Sequence, residues 1–269
     1  MHTRIVTFFS SLLFLITLSH VAVSQAAEYS LAIQPILPQD ELKNSYQPLA
    51  DYLSAETGHS ITITTQRNFL FYWTKMRKKQ KGFDLVLDAA HFTDYRIKKQ
   101  GYTVLAKLPD TVSFSIVTSE DNFIMDAEEL IGLRVATMPS PSLGALRLEE
   151  LFTNPMRIPV YVWELNTTVA VENITSGKID AAIIPTRLAS TYDNLNIVMT
   201  TDPVPHMGLS ASPDVPADVT EKIRLALVNA STTEPGKAML AKLKIDKFDA
   251  ASSEIYDGYS DLLKEVFGY

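Results

Sequence analysis

The regular alternation of short β-branched runs with amphipathic helical stretches most narrows what this chain can become. Residues 29–33 read as a strand that stops at Gln34-Pro35, and residues 40–56 as a helix with Tyr46, Leu49, Ala50 and Leu53 on one face, ended at Gly58. Residues 59–65 alternate as a strand. Residues 69–81 form the next helical stretch, with a basic outer face of Lys75, Arg77, Lys78, Lys79 and Lys81 that ordinary solvation explains. An apolar strand run at 83–87 and a helix at 91–100 follow. A βαβαβα series implies a largely parallel sheet flanked by helices, and such sheets bind ligands beyond the carboxyl ends of their strands. That rule sets Gln34, Phe69, Tyr72, Asp88, Ala89, Ala90 and His91 along a cleft.

The second half repeats the pattern. Strands are expected at 103–107 and 112–117, then a helical turn near 126–131 and a buried strand at 133–136. The next residues, Met138-Pro139-Ser140-Pro141-Ser142-Leu143-Gly144, turn that strand into a helix carrying Leu143, Leu146, Leu148 and Leu151. Ser140 suits an N-cap, Pro141 the first helical position, and Gly144 admits a close neighbour. Unpaired N–H groups at such a helix start suit an anion, with Ser140, Ser142, Leu143 and Gly144 as candidate contacts. A strand at 158–163 leads to Asn166 and Thr167 at the start of a helix over 167–176, and a strand at 179–184 leads to Pro185-Thr186-Arg187. Arg187 is the one arginine this pattern sets at the second cleft edge, where a guanidinium could hold an oxyanion. Strands at 195–200 and 207–212 and helices at 217–229, 234–243 and 253–266 complete the reading.

Residues 1–26 carry the marks of a cleaved export signal: Arg4, an apolar run over 5–18, and small residues at Ser24-Gln25-Ala26. The chain has no cysteine, which excludes disulfides, thiolate metal sites and cysteine nucleophiles. Loss of Arg4 with the leader takes the formal net charge from −7 to −8, which argues against nucleic acid or an anionic membrane surface as partner.

Several short motifs, in order along the whole mature length, carry a resemblance. They are Tyr46-Gln47-Pro48-Leu49 with Tyr52-Leu53 and Thr57-Gly58; Phe83-Asp84-Leu85-Val86 with Tyr95 and Gly101-Tyr102; Leu133-Arg134-Val135-Ala136; Gly177-Lys178-Ile179-Asp180-Ala181-Ala182; and Val215-Pro216. With these the chain resembles type II periplasmic substrate-binding proteins, in the phosphate/phosphite/phosphonate-binding branch of ABC-transporter receptors. The resemblance implies an α/β fold of two hinged lobes, residues 27–110 with 205–269 and residues 111–204, each a mostly parallel sheet flanked by helices. It also implies periplasmic capture of a small, anionic, oxyanion- or phosphonate-like ligand between the lobes and delivery to an ABC permease, by a monomer with no cofactor. Pro139, Ser142 and Gly144 fall on the family's hydroxyl-rich anion turn, whereas Pro141 and Leu143 stand where hydroxyl residues are usual and Met138 where Asp is frequent.

Other functions weigh less. The chain shows no nucleophile elbow, zinc-type His pair or P-loop, so an enzyme is not expected. Copper-type metal capture would use His91, His206, Met138 and Met207. A membrane sensor kinase is an alternative partner to the permease. The reading ends in a two-walled site, with the Pro141 turn on one side and Phe69, Tyr72 and His91 on the other.

Overall fold

The structure, a computed structural model, describes residues 26–269. The export-signal reading therefore falls almost wholly on residues 1–25, outside the described part. In chain order the elements are β1 (Glu28–Ile33), α1 (Gln39–Thr57), β2 (Ser60–Thr64), α2 (Phe69–Arg77), β3 (Leu85–Asp88), α3 (Ala90–Gln100) and β4 (Thr103–Lys107). Next come β5 (Thr111–Val112), β6 (Phe114–Ser119), β7 (Arg134–Thr137), α4 (Leu143–Glu149), β8 (Val160–Trp163), α5 (Thr167–Thr175), β9 (Ala181–Pro185) and α6 (Thr186–Ala189). Then β10 (Leu195–Thr200), β11 (Val204–Pro205), β12 (Gly208–Ala211), α7 (Ala217–Val228), α8 (Glu234–Leu243) and β13 (Asp249–Ala250) close the chain.

Two sheets form. The first runs β13-β4-β12-β3-β1-β2 and the second β10-β6-β9-β7-β8; a two-stranded ribbon pairs β11 with β5. Most strands of each sheet run one way, as expected, with β12 and β13 in the first and β6 in the second running against them. β1 lies parallel to β2 and β3, and β7 parallel to β8 and β9. The late strand β12, however, enters antiparallel between β3 and β4, and β6 runs antiparallel to β9 and β10. A strand that arrives from the other half of the chain needs no crossover helix, so nothing forces it parallel.

Each sheet is covered as its sequence dictates. Leu42, Leu49, Ala50 and Leu53 of α1 are fully buried against Leu31, Ile33, Leu85 and Leu87 of the first sheet, together with Ile223 and Leu227 of α7. On its other face α2 and α3 build an aromatic layer in which Phe92 lies 5.4 Å from Tyr72 and 6.2 Å from Trp73, ring centre to ring centre. The second sheet buries Val117, Ala136, Ala182 and Ile184 under α5.

Two helices end earlier than their sequence suggests. α2 stops at Arg77, short of the expected 81. The expected helix over 253–266 is instead two 3-10 turns, Ser253–Tyr256 and Tyr259–Leu263, separated by Gly258 at φ 91°. A left-handed residue there interrupts the i→i−4 ladder that the apolar spacing alone would support.

Candidate functional site

The strand ends meet around a cavity of about 330 Å³. From the first sheet's side it is lined by Gln34, Ile36 and Leu37 after β1, Phe69 at the start of α2, Ala89 after β3, and His206 and Met207 ahead of β12. The second sheet's side supplies Phe114 of β6, Thr137 at the end of β7 and Met138 after it, Ser142, Leu143 and Gly144 at the start of α4, and Glu164 after β8. Thr167, Ile183, Ile184, Pro185 and Leu188 complete that wall, with Val112 of the ribbon between the two. The carboxyl ends of β1, β3, β7, β8 and β9 thus converge, as the strand-end rule requires.

Gln34, Phe69, Ser142, Leu143, Gly144, Thr167 and His206 accordingly stand in the lining, as do Met138 and Met207. Five expected ligand contacts do not, and neither do Asp88 and Ala90, both fully buried. His91 is fully buried on α3, its Nε2 3.0 Å from the Pro141 carbonyl oxygen. Tyr72 is also fully buried, and its hydroxyl donates to Asp88 Oδ2 at 2.6 Å. Ser140 turns to Glu149, with Oγ 3.4 Å from Oε2. Asn166 is exposed and spends its Oδ1 on the amides of Thr168 and Val169 as the cap of α5. Arg187 borders a different recess behind the ribbon, together with Thr111, Lys244 and Asp246. In each case a local partner satisfies, or local geometry redirects, a polar group that strand-end position alone would assign to a ligand.

The turn before α4 also differs in detail from its sequence reading. Ser142, not Ser140, is the N-cap, and the helix starts at Leu143. Ser142 Oγ accepts from Ala145 N at 3.2 Å and donates to the Met138 carbonyl at 3.2 Å, so both functions of the hydroxyl are engaged. Among the described residues the amides of Leu143 and Gly144 have no backbone acceptor. Gly144 does admit a close neighbour, but the neighbour is protein: a Cβ there would lie 3.1 Å from the Phe114 ring.

Beneath the first wall sits a buried polar cluster. The Arg96 guanidinium grips the Asp88 carboxylate through both terminal nitrogens, Nη2 to Oδ1 being 2.5 Å. Thr93 Oγ1 donates to Oδ1 at 3.0 Å, and Arg96 also reaches Ser210 Oγ. Asp88 is thereby neutralised beneath the cleft. Asp94, on α3, accepts instead from Lys98 and from the Ser260 amide.

Two histidines are buried to different degrees, His206 in the cavity lining and His91 in the interior. Burial lowers His91 to about 4, and burial with the nearby Lys107 does the same for His206. His206 Nδ1 accepts from the Met207 amide at 2.8 Å, which leaves the neutral ring its proton on Nε2. Met207 Sδ receives the Gln34 amide at 3.0 Å. His206, Met138 and Met207 thus share the cavity while His91 does not; among the described residues no three His, Cys, Asp or Glu side chains cluster to hold a metal.

The lining residues that sequence reasoning missed are mostly apolar: Ile36, Leu37, Phe114, Ile183 and Leu188. Glu164 is another: it directly follows the strand that ends at Trp163, and that strand-end position is the signal that points to it.

Two α/β halves with strand ends converging on one cleft define the two-lobed periplasmic-binding-protein fold. PhnD1 from Prochlorococcus marinus, in complex with methylphosphonate, superposes with a TM-score of 0.72 at 16% identity, over 88% of this chain and 97% of that one. XAC2383 from Xanthomonas citri bound to ATP gives 0.71 at 13% identity, over 90% and 100%. A binding-protein component of an ABC phosphonate transporter from Pseudomonas aeruginosa gives 0.69 at 14%, over 86% and 83%. Among curated proteins no sequence matches the chain significantly. Residues 31–256 match the model of the family described as ABC transporter, phosphonate, periplasmic substrate-binding protein, and the chain belongs to that family. No helix among the described residues is long and apolar enough to cross a membrane.

Proposed function

We propose that this chain, as a monomer in the periplasm, takes one small ligand into the 330 Å³ cleft, binds it unchanged and presents it to an ABC permease. The carrying observation is that the cavity draws its walls from both sheets, so a ligand there touches residues 27–110 with 205–269 on one side and 111–204 on the other. The β5–β11 ribbon, in which Val204 pairs with Val112 and Pro205 with Thr111, lies where the chain passes between the two, and bending there closes the lobes.

The walls describe the ligand. Phe69, Phe114, Met138, Leu143, Ile183 and Met207 suit an apolar body, and the Thr167 hydroxyl with the open amides of Leu143 and Gly144 suits an oxyanion head. An alkyl- or arylphosphonate has both parts, and the methylphosphonate held by the Prochlorococcus protein supports that class. Titration with phenylphosphonate, followed by calorimetry and small-angle scattering, tests the reading. Binding with compaction of the particle is expected; saturable binding without compaction would rule out closure, and no binding by any member of an aryl- and alkyl-oxyanion panel would rule out the ligand class.

A further inference from the structure

One carboxylate and no cation face the cleft. Among the described residues, Glu164 alone of those that line it carries a formal charge, and no lysine or arginine is in the lining. Arg187 borders the recess behind the ribbon instead. The Gln34 amide spends one Nε2 hydrogen on Met207 Sδ and its Oε1 on the Ala89 amide, so it can offer one further N–H but no charge. Glu164 is held in place: its amide donates to the Thr137 carbonyl, and its Oε1 accepts from the Asn166 amide at 3.0 Å. The residue is half-buried just after β8 and shares the lining with mostly apolar residues.

Resting on the reading that the cleft takes an oxyanion, we propose that Glu164 is a charge filter: the cleft accepts an apolar ligand with a single negative charge and rejects the dianionic form of the same ligand. A partly dehydrated, apolar-walled space screens charge less than water does, so a carboxylate acts across several ångströms. A second ligand charge doubles that repulsion and more than doubles the burial penalty, and the two cations that act on His206, Lys107 and Arg187, lie outside the lining. Other charges around Glu164 point elsewhere. On β7, Arg134 is paired with Asp180; on α4, Arg147 is paired with Glu150, and Glu149 faces Ser140. Glu172 on α5 is absent from the lining. Across the cleft His206, held down to about 4, stays neutral above that range and adds no titration of its own.

The test compares phenylphosphonate, which passes from one negative charge to two near neutral pH, with benzenesulfonate, which keeps one. Calorimetry at about pH 5.5 and about pH 9 should show phenylphosphonate affinity falling at least about tenfold, the size expected for one added like charge at this range. Benzenesulfonate should change less than about threefold over the same interval. Glu164→Gln keeps the acceptor for the Asn166 amide, so its melting temperature should match wild type while most of the phosphonate's fall disappears. Equal or tighter binding of the dianion by wild type overturns the filter, as does an unchanged fall in a folded Glu164→Gln protein. The wild-type comparison of the two anions decides by itself if that variant does not fold. Should neither anion bind wild type at either pH, the oxyanion reading fails and the filter with it; tight binding of benzylamine instead would make Glu164 a counter-ion and overturn both.

Discussion

His91 and Pro141 join the two halves of the molecule: the imidazole on α3, with no solvent exposure, has its Nε2 3.0 Å from the carbonyl oxygen of the turn that leads into α4. A neutral ring that donates through Nε2 fits this arrangement, and the buried Nδ1 has no protein partner. Protonation would place a charge in the interior between the sheets, which is why burial lowers His91 from its ordinary 6.5 to about 4.

That shift gives stability a pH dependence of known sign. Between about 4 and 6.5 the unfolded chain binds a proton at His91 that the folded chain refuses, so stability rises with pH through the window and is lost as pH falls from 6.5 toward 4. The His91 contribution amounts to at most about 3 kcal/mol. His206 has the same sign but is only half-buried, so solvent reduces its share. Thermal melts of wild type and His91→Asn from pH 7 to pH 4.5 should show the variant losing less of its stability on acidification. Parallel curves would mean that His91 does not titrate in this window.

Asp88 and Arg96 should behave quite differently from the surface ion pairs. Both are fully buried, and Tyr72, Thr93 and Ser210 complete the cluster. Arg96→Ala would leave a carboxylate without its counter-ion in the interior, and a loss of about 3–5 kcal/mol is expected. Arg224→Ala, which breaks an exposed pair with Glu221, should hardly change stability. Denaturant unfolding of the two variants side by side checks the contrast, and a mild Arg96→Ala phenotype would show that Asp88 finds other donors.

Gly144 is required by Phe114. With a Cβ only 3.1 Å from the ring, Gly144→Ala must push the phenyl group, which also lines the cleft. About 1–3 kcal/mol of destabilisation is expected from this overpacking. Phe114→Leu added to Gly144→Ala should recover part of it, since the smaller side chain removes the obstacle. An additive double variant would refute the contact as the cause.

Local signals carried the fold further than they carried the site. The period of apolar residues located α1, α3 and α5 within a few positions because each buries one continuous face. Strand direction was less legible: β12 is short and fully buried, and nothing within Gly208–Ala211 records that it enters antiparallel beside β3. Side-chain direction was less legible still. His91, Tyr72 and Asn166 do follow strand ends, but a side chain at such a position can point down into the core or back along its own helix, and pattern alone does not separate these from the cleft. Gln34, Thr167 and Leu143 were legible because their elements bring them to the lining directly.

Ser142 and Thr167 divide capping from binding. Both line the cleft, yet the Ser142 hydroxyl is committed to the Ala145 amide and the Met138 carbonyl, whereas Thr167 is the first residue of α5, whose cap is supplied by Asn166. Ser142→Ala should therefore lower stability by about 0.5–2 kcal/mol, as the loss of a helix cap does, and leave ligand affinity nearly unchanged. Thr167→Val keeps the side-chain shape and the Asn166 cap, so the fold should tolerate it, while a lost hydrogen bond to an oxyanion head weakens binding by about 1.5–3 kcal/mol. Calorimetry with phenylphosphonate and thermal melts of both variants read the two effects separately. The reverse pattern, affinity lost in Ser142→Ala and kept in Thr167→Val, would move the oxyanion head from α5 to the turn before α4.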